Sequence, residues 1–160
     1  MELMDLVARA VRDLDHEVMP CDPTLADTAA FCEAYGVAPE DSANTIVVLS
    51  KKPEGLACAC LALATTRLDV NHRVRALLGA RKVSFASADA TVALTGMEIG
   101  GVTPFGLPGD LPVYVDSAVM TRDVIVLGGG NRRSKLRVEP TALLTLPNSQ
   151  VIENLAVPLS

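Results

Sequence analysis

Two long apolar runs separated by a short turn constrain the fold of this chain more than any other feature. The runs cover residues 44–50 (NTIVVLS) and 56–66 (LACACLALATT), and both are rich in β-branched or small residues. Between them, residues 51–55 (KKPEG) combine Pro and Gly, which favour turns. Runs of this kind are typical of strands. We therefore expect a β-hairpin whose second strand lies in the interior of a sheet.

Helices and further strands are predicted around this hairpin. Apolar spacing and capping residues predict helices over residues 3–14, 27–36, 71–79 and 87–96, and a final short helix that begins at Pro140. Short apolar runs bounded by turn residues predict strands over residues 16–21, 82–85, 113–116, 123–127 and 135–138. Elements of mixed type in irregular order indicate an α+β fold with a mixed sheet. A chain of 160 residues fits one domain, which we place over residues 1–160.

The distribution of charge bears on possible partners. The formal net charge is −5, yet residues 1–41 hold ten acids and two bases, whereas residues 67–137 hold ten bases and six acids. Such a basic stretch is compatible with brief contact with one end of a nucleic acid, although a solvated mixed surface accounts for it equally well. Extended binding to duplex DNA is not expected of an acidic chain.

The sequence lacks several patterns that would indicate secretion, membrane insertion or metal binding. The amino terminus is acidic where a secretory signal would be basic, and the longest apolar stretch, residues 56–64, is about half of the roughly 20 residues that a membrane helix requires. We therefore expect a cytosolic protein without membrane contact. Four cysteines without a CxxC pair, and two histidines, match no zinc-ligand spacing, so reduced thiols, no metal and no cofactor are expected.

Three common catalytic arrangements fit the sequence poorly. The glycines at 128–130 follow an apolar run but lead into another predicted strand, which favours a hairpin turn over a dinucleotide loop. His16 and His72 lie near no nucleophile elbow. Cys58 and Cys60 alternate within an apolar strand and are predicted to face the same buried side, which argues against a reactive thiol.

The segment Gly100–Pro112 (GGVTPFGLPGDLP) remains as a candidate site. Four glycines and three prolines in thirteen residues exclude a regular helix or strand. Loops of this length in small domains are more often functional than idle. Glycine brings main-chain N–H groups close to a ligand and proline stiffens the loop, so the segment suits binding of a carbonyl or oxyanion.

Several motifs in fixed order resemble the YbaK-like prolyl-tRNA editing domains, a family of aminoacyl-tRNA deacylases that also occurs as an insertion in prolyl-tRNA synthetases. The resemblance begins at the predicted helix over residues 27–36 and runs over nearly all the chain that follows. The motifs are ANTIVV at residues 43–48, LD at 68–69, LLGARKV at 77–83, LTG at 94–96, GGVTPFG at 100–106, LPVYVD at 111–116 and GG at 128–129.

This resemblance implies a fold, a substrate and a set of site residues. The fold is α+β with a central mixed, partly barrel-like β-sheet flanked by short helices, and its pocket admits the aminoacylated 3′ end of a tRNA. The family's Gly-x-x-x-Pro loop, matched by residues 100–104, holds the substrate carbonyl while water attacks the ester with help from the ribose hydroxyl. The resemblance assigns catalytic roles to Asn44, Gly100, Gly101 and Pro104, and substrate binding to Thr45, Val102, Thr103, Asp116, Gly128 and Gly129. For Thr45 and Asp116, a purely structural role explains the sequence equally well.

Asn44 departs from the family pattern. Many active members carry a lysine at the matching position, where its ammonium contacts the substrate; asparagine keeps a donor but loses the charge. Two main hypotheses follow: a freestanding deacylase of mischarged tRNA, or a non-catalytic module that binds acylated tRNA or a tRNA synthetase. A pocket for a small nucleotide or amino-acid ester unrelated to tRNA is a third.

Overall fold

The computed structural model describes residues 2–159 and contains four α-helices and ten strands within them. The helices are α1 (Asp5–Val11), α2 (Thr28–Tyr35), α3 (Arg75–Leu78) and α4 (Ala88–Thr95). The strands are β1 (Glu17–Pro20), β2 (Ala43–Lys52), β3 (Glu54–Leu63), β4 (Thr66–Leu68), β5 (Lys82–Phe85), β6 (Val113–Asp116), β7 (Ile125–Gly128), β8 (Ser134–Val138), β9 (Ser149–Ile152) and β10 (Ala156–Pro158).

The predicted hairpin forms the centre of a five-stranded mixed sheet with the order β5-β2-β3-β6-β9. The β2–β3 and β2–β5 pairs are antiparallel, whereas β3–β6 and β6–β9 are parallel. Residues 58–63 of β3 are all buried, because both faces of this strand are covered. The expectation of an interior second strand is therefore confirmed.

Two smaller sheets complete the fold. The order β1-β8-β7 forms an antiparallel three-stranded sheet, and β10 pairs with β4 in a two-stranded one. The α+β class and the mixed sheet with short flanking helices are confirmed. The strands are divided among three open sheets rather than gathered in one, and residues 2–159 form no closed barrel.

Apolar side chains between these layers form three clusters. The largest contains Phe105, Leu61 and Leu136, and receives Val7 and Val11 from α1. A second cluster, on the other face of the five-stranded sheet, contains the Cys58 and Cys60 side chains. A third surrounds Phe31 and lies beside β7. Few aromatic residues contribute, so small and branched aliphatic side chains fill the interior.

The elements differ from the prediction mainly near the chain ends. The first helix ends at Val11, although apolar spacing continues to Leu14. Pro140–Thr145 is a 3-10 helix, and it is not the last element, since β9 and β10 follow it. Both strands are short, and β10 ends at Pro158, so their pairing with β6 and β4, rather than their own composition, holds them in place.

Candidate functional site

A cavity of about 220 Å³ lies where the start of β2, the β7 strand and the glycine-rich segment meet. Residues 42–46 form one wall and residues 126–128 another. Gly100 and Val102 form the third, and four residues at the amino-terminal end of α2 close the space: Ala26, Asp27, Thr28 and Phe31. The Ser42–Val126 bridge joins β2 to β7 at this point, and it brings the larger sheet to the edge of the three-stranded one.

Asn44 is held in this cavity by a neighbour from α2. The Thr28 hydroxyl donates to Asn44 Oδ1 over 2.6 Å, which leaves the Nδ2 amide as a donor without a partner among residues 2–159. The adjacent Thr45 also lines the cavity, and its Oγ1 is buried without a hydrogen-bond partner in the same range. The strand therefore presents polar groups that a ligand can use.

The glycine-rich segment is fixed by main-chain hydrogen bonds to the turn between β7 and β8. The Gly130 amide donates to Gly101 O over 2.7 Å, and the Glu98 amide donates to Gly130 O over 3.0 Å. The Gly101 amide donates to Glu98 O over 2.9 Å, so this donor is already used. The Gly100 and Val102 amides form no hydrogen bond with any residue of 2–159.

Glycine is required where these two segments meet. A Cβ at Gly128 would contact Gly101 O and lie 2.6 Å from Val102 O. At Gly101 a Cβ would lie 2.8 Å from the main-chain nitrogen of Asn131. These neighbours are backbone atoms that cannot swing aside, so the segments approach closely only because neither glycine carries a side chain.

Lys135 is the one cation among the residues that line the cavity within the described chain. Its side chain is 7% exposed, and Nζ donates to Ala26 O over 2.8 Å and to Gly100 O over 3.0 Å. Nζ also lies 5.2 Å from the centre of the Phe31 ring, within the range of a cation–π contact. Burial lowers the pKa of the Lys135 ammonium from its ordinary value, with a smaller contribution from Arg132.

Arg132 joins the two chain segments that flank Lys135. Its guanidinium donates twice to Pro23 O, over 2.8 and 3.0 Å, and once to Ile99 O over 2.9 Å. It also contacts Asp27 Oδ1 over 3.3 Å. The planar fork of arginine satisfies these acceptors together, and it thereby fixes the segment before α2 against the segment before Gly100.

The structure brings half of the predicted site residues together. Asn44, Thr45, Gly100, Val102 and Gly128 all line the cavity. The other five lie elsewhere among the described residues: Gly101, Thr103, Pro104, Asp116 and Gly129.

Those five are buried in packing or hydrogen-bonding positions. Thr103 and Pro104 are buried beside the core residue Phe105. Asp116 accepts a hydrogen bond from the Ala156 amide over 3.2 Å, and Gly129 accepts one from the Met4 amide over 2.9 Å. The first part of the segment over residues 100–112 therefore faces the cavity, and the part around Phe105 is buried in the core.

Sequence reasoning missed Lys135, Thr28 and Phe31. Lys135 was counted only as part of the basic stretch, and with 7% exposure it adds little to a surface patch. Strand alternation does not predict that Lys135 is buried, because it places Lys135 on the same face of β8 as the exposed Arg137. Thr28 lies in the predicted helix over residues 27–36, where its sequence position suggests a helix cap. Its hydroxyl instead bonds Asn44, and the Asp27 cap position forms no side-chain hydrogen bond.

The two thiols in the five-stranded sheet are closed off from this cavity. Cys58 and Cys60 are fully buried on one face, as alternation predicts, with their Sγ atoms 3.7 Å apart. The contact with Cys58, together with burial, raises the pKa of the Cys60 thiol well above its ordinary value. Such a thiol stays protonated and is a poor nucleophile.

The described residues also bear on metal binding and on membrane insertion. Within residues 2–159, no group of three or more His, Cys, Asp or Glu side chains is arranged to hold a metal ion. In the same part of the chain no helix has the length and apolar character needed to traverse a bilayer.

A comparison with protein families matches residues 22–146 to the aminoacyl-tRNA editing domain. The matched region contains every residue of the cavity. It also covers more than half of the 160-residue chain.

Two curated relatives match part of their own length. A proline–tRNA ligase of Bacillus licheniformis is 32% identical over 112 residues, which cover 68% of this chain and 18% of the ligase. EbsC of Enterococcus faecalis, named as a candidate Cys-tRNA(Pro)/Cys-tRNA(Cys) deacylase, is 29% identical over 75 residues. These cover 47% of this chain and 46% of EbsC, so the matched segment spans less than half of either relative.

A solved structure of similar size shares the fold. The crystal structure of hypothetical protein APE2540 superimposes with a TM-score of 0.84 at 26% sequence identity. The superposition covers 96% of this chain and 100% of the other. The family match, in contrast, ends at residue 146, before β9 and β10.

Proposed function

Because the chain belongs to the aminoacyl-tRNA editing domain family, we propose that it is a freestanding deacylase that hydrolyses the ester of mischarged aminoacyl-tRNA. Domains of this family act on aminoacylated tRNA. The relatives named for prolyl-tRNA ligation and for Cys-tRNA(Pro) deacylation support a small amino acid on tRNA(Pro) as the first substrate to test.

The cavity between Asn44 and the Gly100–Val102 segment is the observation that carries this proposal. It offers the Asn44 amide and the Gly100 and Val102 N–H groups as donors that residues 2–159 leave free. Its remaining walls include the apolar side chains of Phe31 and Val126. A small cavity with a few free donors suits an acyl group whose carbonyl needs hydrogen bonds.

The reaction requires orientation more than a side-chain base. Water adds to the ester carbonyl carbon, and one of its protons passes by way of the neighbouring ribose hydroxyl to the departing ribose oxygen. The bond between the carbonyl carbon and that oxygen breaks, which releases the free amino acid and an uncharged tRNA. The donors in the cavity stabilise the negative charge on the carbonyl oxygen, and each well-placed donor contributes roughly 100- to 1,000-fold in rate.

The direct test is deacylation of a panel of mischarged tRNAs labelled on the amino acid. We expect release of label from at least one small aminoacyl group on tRNA(Pro), and a loss of about 100-fold in kcat for Asn44→Ala. Gly109→Ala is the matched control, because this glycine has open space around it and lies outside the cavity. Absence of turnover with every tRNA of the panel would reject the proposal.

The neutral Asn44 favours one other function, a module that binds acylated tRNA or a synthetase without cleaving the ester. Phosphate contacts make such binding weaken as salt increases. Salt-sensitive binding of aminoacylated tRNA without release of the amino acid, together with gain of hydrolysis in Asn44→Lys, would support this alternative. Binding that does not change between low and high salt would contradict it.

A further inference from the structure

The Lys135 ammonium is buried without a carboxylate partner. Within the described chain it forms no ion pair, although its side chain is 93% removed from solvent. A buried charge is costly unless it is paired or fully hydrogen-bonded. Two main-chain carbonyls and the Phe31 ring compensate part of this cost. An ammonium has three donors, so one N–H remains without a partner among residues 2–159.

The other charged groups near this ammonium are already engaged. Arg132 donates to Pro23 O, Ile99 O and Asp27, so its guanidinium is not free to bind a ligand in the cavity. Asp27 is 76% exposed and contacts Arg132. The cavity therefore contains one cation with one free donor, beside the neutral donors of Asn44, Gly100 and Val102.

The single free N–H of the Lys135 ammonium favours an ester carbonyl oxygen over a phosphate as its ligand. A phosphate carries up to two negative charges and is usually bound by several donors or by an arginine fork. A single ammonium with one free N–H and one unit of positive charge instead matches one oxygen whose negative charge is small at first and grows during reaction. The carbonyl oxygen of an ester has this property, because it becomes an oxyanion when water adds.

We propose that Lys135 binds the carbonyl oxygen of the aminoacyl ester through its third N–H, and that this contact is the main charged interaction of the site. The inference rests on the proposed function. It gives the strand β8, which sequence reasoning left out of the site, a direct part in substrate binding. Asn44, which lines the same cavity, is then a neutral second donor.

The purely structural alternative is that Lys135 only ties Ala26 to Gly100. The two roles are separated by ligands that carry or lack the carbonyl oxygen, compared in the wild-type protein and in Lys135 variants, so that any effect of the amide N–H is common to all of the proteins. We would use adenosine carrying an alanyl, cysteinyl or prolyl group through a stable 3′-amide, and the same three compounds with a methylene ether in place of the amide. Binding is measured by calorimetry, so hydrolysis is not required.

We expect the wild-type protein to bind at least one amide about tenfold more tightly than its ether. Lys135→Gln should bind the two within about twofold. Arg137→Gln, on the same strand but exposed, should keep the tenfold preference. If Lys135→Gln does not fold, as judged by circular dichroism, Lys135→Met keeps the length of the stem and is compared in the same way.

The outcomes separate this inference from the proposed function. A carbonyl preference that persists without the Lys135 ammonium, or that the wild-type protein lacks with all three amides, would overturn the inference. A wild-type protein that shows the preference but hydrolyses no aminoacyl-tRNA would reject the deacylase and retain the contact. Hydrolysis by the wild-type protein with kcat unchanged in a folded Lys135→Gln variant would also overturn the contact.

Discussion

The molecule buries ionisable groups in two places and supports them in different ways. Around the cavity, Lys135 is surrounded by main-chain carbonyls, an aromatic ring and an open space. In the five-stranded sheet, Cys58 and Cys60 are packed among apolar side chains such as Val48 and Leu155, and among residues 2–159 the two thiols form a hydrogen bond only with each other. Burial favours the neutral form in both places, so it disfavours the lysine ammonium and the cysteine thiolate alike.

The difference indicates which region can perform chemistry. The thiols are already in their neutral form and need nothing further, so they act as small apolar side chains. The lysine keeps an unused donor next to a cavity, which is an arrangement that costs stability unless a ligand completes it. A buried ionisable group thus indicates a functional site only where its surroundings leave one of its hydrogen-bonding atoms without a partner.

The largest effect is expected where the cavity walls meet through backbone alone. Gly128→Ala would place a methyl group against the carbonyl oxygens of Gly101 and Val102, so β7 or the glycine-rich segment must move. We expect the free energy of unfolding to fall by about 3 kcal/mol, measured by urea denaturation. Gly109→Ala, which meets nothing within 4 Å, should change it by less than about 0.5 kcal/mol. Equal stability of the two variants would contradict the close approach.

Arg132→Lys tests the hydrogen bonds by which Arg132 joins the segment before α2 to the segment before Gly100, an arrangement that we call the brace. A lysine ammonium cannot reach Pro23 O, Ile99 O and Asp27 together, so we expect a loss of about 2 kcal/mol in unfolding free energy. Arg133→Lys is the control, since Arg133 is exposed and, among residues 2–159, only its main-chain amide and carbonyl form hydrogen bonds. A loss in Arg133→Lys as large as in Arg132→Lys would show that the brace is not specific.

The two regions should respond to alkaline pH with opposite signs. The pKa of Cys60 is raised in the folded protein above 9.0, so its stabilising contribution is complete below pH 9 and is lost as pH rises further. At about one pH unit above the unfolded value, a single such thiol costs roughly 1.4 kcal/mol. The pKa of Lys135 is instead lowered below 10.5, so the cost of burying its ammonium is relieved as pH rises.

Urea denaturation between pH 7 and pH 10.5 would measure both effects. We expect stability to fall above pH 9, less steeply in Cys60→Ala and more steeply in Lys135→Met. Burial also raises the pKa of Cys21 and of Tyr114, so some alkaline loss should remain in Cys60→Ala. Identical pH profiles for the wild-type protein and both variants would contradict the assignment.

The smallest change is expected for the thiol itself at neutral pH. Cys60→Ala removes one buried atom from a packed cluster, and we expect a loss of about 1 kcal/mol with unchanged deacylation. Cys60→Ser keeps the volume but buries a hydroxyl, and it should cost more. Activity that disappears in Cys60→Ala while the fold persists would make the thiol region functional after all.

Local patterns predicted the parts of the fold that depend on nearby residues. The hairpin, the interior position of β3 and the common face of Cys58 and Cys60 follow from turn residues and from alternation along one strand. The strands β9 and β10 were not predicted. They depend on pairing with β6 and β4, which precede them by tens of residues.

The candidate site was predictable only in part, for the same reason. Asn44 and Gly100 were identified by their motifs, and both line the cavity. Lys135 became part of it through contacts with Ala26 and Gly100, which are 109 and 35 residues away in the chain. Neither hydropathy nor alternation within SKLRV distinguishes Lys135 from the exposed Arg137.

The helix α1 has a consequence for anyone who transplants this domain. The family match begins at residue 22, yet a Cβ at Gly130 would lie 2.6 Å from Met4 Cβ and 2.8 Å from Val7 Cγ2. Residues at the start of the chain, Val7 of α1 among them, therefore pack closely against Gly130, in the turn between β7 and β8. A graft that begins at residue 22 would contain the cavity without the helix that packs against this turn, so we expect that a transplanted domain needs residues 2–21.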